Sequence, residues 1–245
     1  MKIFAFIPAR YQSTRFPGKP LAMIGEKPMI QHVYERAMSC PEISKVCVAT
    51  DDKRISACVR GFGGQVVMTG KTHQSGTDRI CEAASKTGLN TEDLVINIQG
   101  DQPLFHPSIV SKLIKPFMED PSIPMTTVKW KIKNPDDIRN PNHVKVVTDR
   151  QGFALYFSRY PLPFFRDAES GQVHYKHLGF YGFRMSFLLK FTGLSQGVLE
   201  VAEKLEQLRA LEYGFKIKVV ETPYNSIEVD VPEDVERVKA VLERL

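Results

Sequence analysis

The feature that most constrains this chain is a repeated switch of hydrophobic period. Short apolar runs that read as buried strands (Lys2–Ala9, Lys45–Thr50, Gln65–Thr69, Leu94–Ile98) alternate with stretches whose apolar residues recur every three or four positions. The second period puts Met29, Ile30, Val33, Tyr34, Ala37 and Met38 on one face of a helix opened by Pro28. Another helix follows Asp51 and Asp52 to about Phe62, and Gly63-Gly64 turns the chain into the next strand. Ser75 caps a third helix, about Thr77–Lys86, with Asp78 three residues on as in a capping box. Repeats of this kind build a mostly parallel sheet covered by helices, so the expected class is α/β, Rossmann-like and three-layered.

The second half has another texture. Met125–Ile132, His143–Thr148, Phe153–Ser158 and Leu178–Arg184 read as strands without long helices between them, which predicts an antiparallel extension. Helix returns at about Leu199–Tyr213 with Gly214 as its C′ residue, then a strand Lys216–Glu221, a short strand Ile227–Val231 and a last helix Pro232–Leu245. No linker, repeat or low-complexity tract divides the chain. The expectation is one domain over 1–245, with a first half to about 120, an elaborated second half to about 225, and a C-terminal strand and helix over 226–245.

Composition excludes several classes. With 42% hydrophobic and 25% charged residues, the chain is neither disordered nor collagenous. Four cysteines without a CxxC pair or a nearby His at zinc spacing read as free thiols in a reducing compartment, hence the cytoplasm. MKIFAFIPAR is too short an apolar run for a signal peptide, and no membrane-spanning stretch occurs. The net charge of +5 suits a phosphate-rich ligand if the cations cluster.

They cluster after the first strand. Arg10, Arg15 and Lys19 lie within ten residues, around Ser13, Thr14 and a Pro17-Gly18 turn. A loop there sits at the carboxyl edge of the sheet, where α/β ligands bind. Arg forks and a Lys ammonium suit a triphosphate, although a solvated basic loop has the same composition. The loop is neither GxxxxGK[ST] nor GxGxxG, which counts against a P-loop ATPase and a dinucleotide dehydrogenase.

IPARYQSTRFPGKPL resembles the signature loop of the CMP-Kdo synthetases (3-deoxy-manno-octulosonate cytidylyltransferases). Further blocks match that family in order: ATDD, HQSGTDR, NIQGDQP, HVKVV, ALYFSR, KHLGFYGFR, LEQLRALEYG and VDVPED. The resemblance spans nearly the whole chain. It implies transfer of CMP from CTP to the anomeric hydroxyl of the eight-carbon sugar acid Kdo, with Mg²⁺, in a homodimer, for lipopolysaccharide synthesis. Neither nucleic acid nor membrane is an implied partner.

By resemblance, Arg10 and Lys19 contact the phosphates and Arg15 helps hold pyrophosphate. Ser75 and Gly76 lie along the nucleotide with Arg79 nearby, and main chain near Ala9 and Thr69 reads cytosine. Asp101 and Asp230 form the magnesium site, each with a plainer alternative as a turn or helix-end anion. Gln99, Arg159, His177, Tyr181, Glu206 and Gln207 are carried over for the sugar acid. Taken singly, His177 reads as a satisfied core histidine, Glu206 as a solvated helix residue and Tyr181 as packing.

Two departures stand out. Gln102 replaces the Glu of the usual QGDEP, a feature of branches that favour 8-amino-Kdo, whereas His73 and Gln74 follow the ordinary Kdo branch. Val231 stands where Thr is common and offers no side-chain cap to the last helix, a loss of ~1 kcal/mol. CMP-sialic acid synthetase shares the chemistry, but PGKPL and HLGFYGFR fit it less well. A non-catalytic nucleotide- or RNA-binding module is the reading from another class, supported by Lys129, Trp130, Lys131 and Lys133 on one strand.

Overall fold

A computed structural model describes residues 1–13, 15–167 and 173–243. Thr14 and the last two positions of the expected C-terminal helix lie outside the described residues. The chain divides into two compact units, Met1–Ser111 with Arg184–Thr192 and Ser226–Leu245, and Lys112–Phe183 with Gly193–Asn225.

The first unit contains β1 (Ile3–Ala9), the two-residue strands β2 (Met23–Ile24) and β3 (Lys27–Pro28), α1 (Met29–Met38), β4 (Lys45–Thr50), α2 (Lys53–Gly61), β5 (Val66–Met68), α3 (Gly76–Ser85) and β6 (Leu94–Asn97). Four of its strands lie in the order β6, β1, β4, β5 with every pairing among them parallel, while β2 and β3 form a separate antiparallel pair. Such strands are covered on both faces, which is why they read as unbroken apolar runs. Ala5, Phe6, Ile7, Val48, Val95 and Ile96 are fully buried. Each large aliphatic or aromatic side chain so buried contributes ~1.5–3 kcal/mol.

α1 buries Met29, Ile30, Val33, Tyr34 and Ala37 as the period predicts, but Met38 at its last turn is 57% exposed. By that turn the apolar stripe has left the core. α2 is capped by Asp52, whose carboxylate accepts from the Arg54 amide at 2.8 Å. α3 has the expected capping box: Ser75 Oγ accepts from the Asp78 amide at 3.0 Å, and the Asp78 carboxylate from the Ser75 amide at 3.2 Å.

The second unit holds β7 (Met125–Lys131), α5 (Asp136–Arg139), β8 (Lys145–Thr148), β9 (Ala154–Ser158), β10 (Tyr175–Arg184), two short helices and β11 (Ile217–Thr222). β10 pairs antiparallel with β7 and β8, β8 pairs antiparallel with β9, and β11 runs parallel to β7. The α/β class with a mostly parallel sheet and added antiparallel strands is therefore what the chain adopts.

Four expectations need correction or completion. Helices α4 (Ser108–Glu119) and α6 (Met185–Thr192) occupy stretches that the periodicity left unassigned. The helix expected over Leu199–Tyr213 is two, α7 (Val198–Glu203) and α8 (Leu208–Glu212), separated where Lys204 takes a left-handed φ of 54°. The carbonyls of Glu203 and Lys204 at that break accept instead from the Arg159 guanidinium, at 2.7 and 3.4 Å.

Ile227–Val231 forms no strand. Val229 donates its amide to the Asp101 carbonyl at 2.9 Å and packs with Ile24, Met29 and Val238, so a side-chain cluster holds the segment where a ladder was expected. The final helix α9 (Glu233–Leu242) has no side-chain N-cap from Val231, yet the Asp234 carboxylate accepts from the amides of Asp230 and Val231 at 2.8 and 3.1 Å. Asp234 thus makes its own half of a capping box, and its amide donates to the Val231 carbonyl at 3.1 Å in place of a side-chain cap.

Candidate active site

The basic loop is shaped before its charges matter. Gly18, at φ +73°, donates its amide to the Tyr11 carbonyl at 2.9 Å. A Cβ at Gly18 would stand 3.1 Å from the Tyr11 ring, so both the backbone angle and the space demand glycine. Arg54 lies 3.3 Å from the centroid of the other participant, the Tyr11 ring, and is itself paired with Asp52 at 2.7 Å. The closed loop delivers Lys19 onto a single 3₁₀ turn, Lys19–Leu21.

At the carboxyl end of β1 a cavity of about 310 Å³ opens, lined by Arg10, Ser13, Arg15, Lys19, Ser75, Gly76, Arg79, Gln99, Asp101 and Asp230. Ten of the residues anticipated for nucleotide or metal therefore meet in the first unit, and Ala9 lines the same cavity. Gly100 allows the close approach of the strand ends, because a Cβ there would sit 2.9 Å from the Pro8 carbonyl oxygen.

The charges are arranged in two ways. Lys19 Nζ lies 2.7 Å from Asp101 Oδ2, 2.9 Å from the Val229 carbonyl oxygen and 3.9 Å from Asp230 Oδ1. Arg15 donates to Asp230 Oδ1 at 3.0 Å. Arg10, exposed in the same cavity, pairs with no carboxylate among the described residues. It is positioned to receive an anion directly.

Asp101, Asp230 and the Val229 carbonyl form an oxygen-only donor set converging on one ammonium. That chemistry fits a hard cation such as Mg²⁺, which takes one or two carboxylates and fills its shell with water and substrate phosphates. No cluster of three or more His, Cys, Asp or Glu side chains suited to a metal occurs among the described residues. The protein's share of such a site is thus two carboxylates.

Ser75, the N-cap of α3, and Gly76, its first residue, line the cavity at the positive end of the helix dipole. Arg79 is only 5% exposed and already committed, donating to Thr69 Oγ1 at 2.7 Å and the Gly70 carbonyl at 3.4 Å, and pairing with Asp51 at 3.3 Å. It shapes the 69–70 turn. Thr69 itself is outside the cavity lining, and its amide donates to the Thr50 carbonyl at 2.9 Å.

His73 and Gln74 line the cavity too, though sequence reasoning used them only as branch markers. His73 bonds Glu82, whose carboxyl is pulled down to about 2 by Lys86, the Gly70 amide and His73. The Val229 carbonyl had no sequence signal, since a main-chain oxygen is placed only by folding.

The residues carried over for the sugar acid, apart from Gln99, belong to the second unit. Tyr181 and His177 are buried with ring centroids 5.3 Å apart, and the Glu206 charge acts on Tyr181, whose hydroxyl is pushed well above its ordinary range, chiefly by burial. Thr127 donates its one hydroxyl proton to the Phe180 carbonyl at 2.7 Å, so toward His177 Nε2, at 2.8 Å, it can only accept. His177 therefore carries its proton on Nε2, and burial, helped by the Lys176 charge, lowers its pKa to about 3.

Gln207 is buried. Beside it, Arg209 grips the buried Glu200 through two bonds of 2.7 and 2.6 Å. Arg159 stands apart from the aromatic pair: it donates to the carbonyls of Pro141, Glu203 and Lys204, and its amide donates to the Glu203 carboxylate. The support for an RNA-binding face weakens, because Trp130 is buried and Lys129 is bonded to Thr148 at 2.9 Å over the Tyr175 ring. Among the described residues no helix is long and apolar enough to cross a membrane.

Comparison with known proteins identifies the family. The family model described as Cytidylyltransferase matches residues 4–217. A 3-deoxy-manno-octulosonate cytidylyltransferase of Geotalea uraniireducens (strain Rf4) is 53% identical, covering 100% of this chain and 99% of its own. One of the same description from Syntrophus aciditrophicus (strain SB) is 51% identical over 98% and 97%. The solved structure of a CMP:2-keto-3-deoxy-manno-octonic acid synthetase complexed with CTP has a TM-score of 0.93 at 41% identity, covering 100% of this chain and 99% of that one. A cytidylyltransferase of Leptospira borgpetersenii, at 19% identity and a TM-score of 0.66, shares the fold. The chain is thus a member of the cytidylyltransferase family, in its 3-deoxy-manno-octulosonate branch.

Proposed function

We propose that this protein transfers CMP from CTP to the anomeric hydroxyl of Kdo, releasing pyrophosphate. The observation that carries the reading is the meeting of Arg10, Arg15 and Lys19 with Asp101 and Asp230 around one cavity at the end of β1. Phosphoryl-type transfer asks the protein for positioning and charge stabilisation rather than covalent chemistry.

The anomeric hydroxyl gives up its proton to water as its oxygen attacks the α-phosphorus of CTP, and the bond from that phosphorus to the bridging oxygen breaks, so the electron pair leaves with pyrophosphate. Arg10 would meet the triphosphate directly. Lys19 and Arg15 would take up charge that grows on the departing pyrophosphate. The Ser75–Gly76 turn at the start of α3 would lie along the nucleotide, and Ser13 and Gln99 would complete its surround. Asp101 and Asp230 would hold Mg²⁺, which when bound neutralises phosphate charge and lowers the pKa of an acceptor hydroxyl.

For the acceptor we assign Gln99, Arg159, His177, Tyr181, Glu206 and Gln207. His177 acts there as a neutral imidazole, through position rather than charge. Arg159 holds the α7–α8 break through the carbonyls of Glu203 and Lys204 and also donates to that of Pro141. A second acceptor, 8-amino-Kdo, is favoured by Gln102, a buried neutral amide beside Asp101. We further assign a cytoplasmic homodimer, with the exposed Tyr160 and Phe164 of the 156–166 segment on its interface. Sedimentation of the wild type and of Phe164→Arg tests that assignment.

The decisive assay follows pyrophosphate release from CTP and Mg²⁺ with Kdo, 8-amino-Kdo or sialic acid. Release with Kdo at the highest kcat/KM supports the proposal. Higher kcat/KM with 8-amino-Kdo replaces the acceptor and leaves the chemistry intact. No release with any acceptor refutes the enzyme reading.

A further inference from the structure

Lys19 is held where a cation would be wanted by Asp101 and Asp230, and Arg15 adds a second positive group to Asp230. The ammonium and both carboxylates are about 18%, 28% and 30% exposed, so these contacts are only partly screened by water. Arg10 lines the same cavity and, among the described residues, pairs with no carboxylate. The cavity thus holds two classes of cation: one already neutralised by the acids, the other not.

We propose that Lys19 and Arg15 are resident counter-ions of the Asp101–Asp230 pair, which makes divalent-cation binding and triphosphate binding mutually dependent. Without nucleotide, a divalent cation must displace Lys19 from Asp101 and leave a partly buried ammonium with a carbonyl as its remaining close partner. Without a divalent cation, Lys19 can turn to a triphosphate only by abandoning Asp101. When both arrive, the divalent cation takes the carboxylates and the phosphates take the ammonium, so every charge keeps a partner. Linkage requires each ligand to raise the other's affinity by the same factor, with 5- to 150-fold the usual range for such coupling. The inference rests on the nucleotidyltransferase reading of this cavity.

The test is a titration of nucleotide-free protein with Mn²⁺, followed by the paramagnetic signal of the free ion. Lys19→Met should bind Mn²⁺ about tenfold more tightly than wild type, and Arg15→Gln roughly threefold. Arg10→Met removes the same charge from the same cavity but from no carboxylate, and should change the affinity less than twofold. Equal shifts for Lys19→Met and Arg10→Met would reduce the effect to general cavity charge and overturn the proposal, as would no shift in Lys19→Met. If Lys19→Met melts early, Arg15→Gln decides alone, because its side chain is 59% exposed and its loss does not threaten the fold. Unchanged Mn²⁺ affinity with full CTP-dependent pyrophosphate release refutes the counter-ions and spares the enzyme. No release at all refutes the enzyme reading instead.

Discussion

The charged groups of the two units are satisfied by different partners. In the first unit, Lys19 and Arg15 answer to carboxylates at the wall of an open cavity. In the second, Arg209 and Glu200 close on each other in the core, and Lys145, fully buried, donates to the carbonyls of Asn140, His143 and Arg159 at 3.0, 2.5 and 2.5 Å. Water-accessible side-chain pairs can exchange partners at modest cost, whereas a buried charge bonded to main chain is committed to one conformation. The first arrangement serves a ligand that brings charge in and takes charge out. The second builds a rigid frame, and the buried, neutral His177 fits that frame.

The sharpest way to break this contrast is at Asp101. Asp101→Asn should lower kcat/KM on the order of 10²–10³-fold while changing stability by less than ~1 kcal/mol. Steady-state kinetics with denaturant melts measure both, and a large loss of stability would erase the distinction. In the second unit the effect should fall on the fold. Arg209→Met strands Glu200 in the core and should cost about 3–5 kcal/mol in urea unfolding.

The same contrast sets a pH dependence. His177 takes a proton near pH 6.5 when unfolded but stays neutral to about 3 when folded. The unfolded state thus binds more protons between those values, so stability is complete above pH 6.5 and falls as pH drops toward 3. The slope from this one group reaches at most ~1.4 kcal/mol per pH unit. His177→Gln should flatten that limb in urea melts taken at several pH values.

Smaller effects sit at helix starts. Ser75→Ala should cost about 1 kcal/mol through the lost cap and raise KM for CTP. Val231→Thr should change stability by less than ~0.5 kcal/mol, because the Asp234 amide that its hydroxyl would serve already donates to the Val231 carbonyl at 3.1 Å. A gain near ~1 kcal/mol, the ordinary worth of a cap, would show that this main-chain bond is a poor substitute for a hydroxyl.

Reading order from the chain worked best where the physics is local. β4 and the α3 capping box follow from a run of apolar residues and from one Ser–Asp spacing. The phosphate-loop cations were legible because three lie in ten residues. Reading failed where long-range partners decide. The α7–α8 break depends on Arg159, about forty-five residues away, taking two helix carbonyls. The unstranded 227–231 segment depends on Lys19 and Asp101 bonding to Val229. Arg79 and Thr69, expected near the nucleotide, bond to each other for the same reason.

Local spacing alone determined the parallel α/β half, the helix caps and the residue types that gather at the end of β1, since period and capping act within a few bonds of each residue. Folding decided which of those charges are already paired. Lys19 and Asp101 stand 82 positions apart in the chain, and Arg15 and Asp230 stand 215 apart. Coulomb energy depends on distance in space, so the partnership of Lys19 with Asp101, and the lack of a carboxylate partner for Arg10 among the described residues, exist only once β1, β6 and the C-terminal segment have come together.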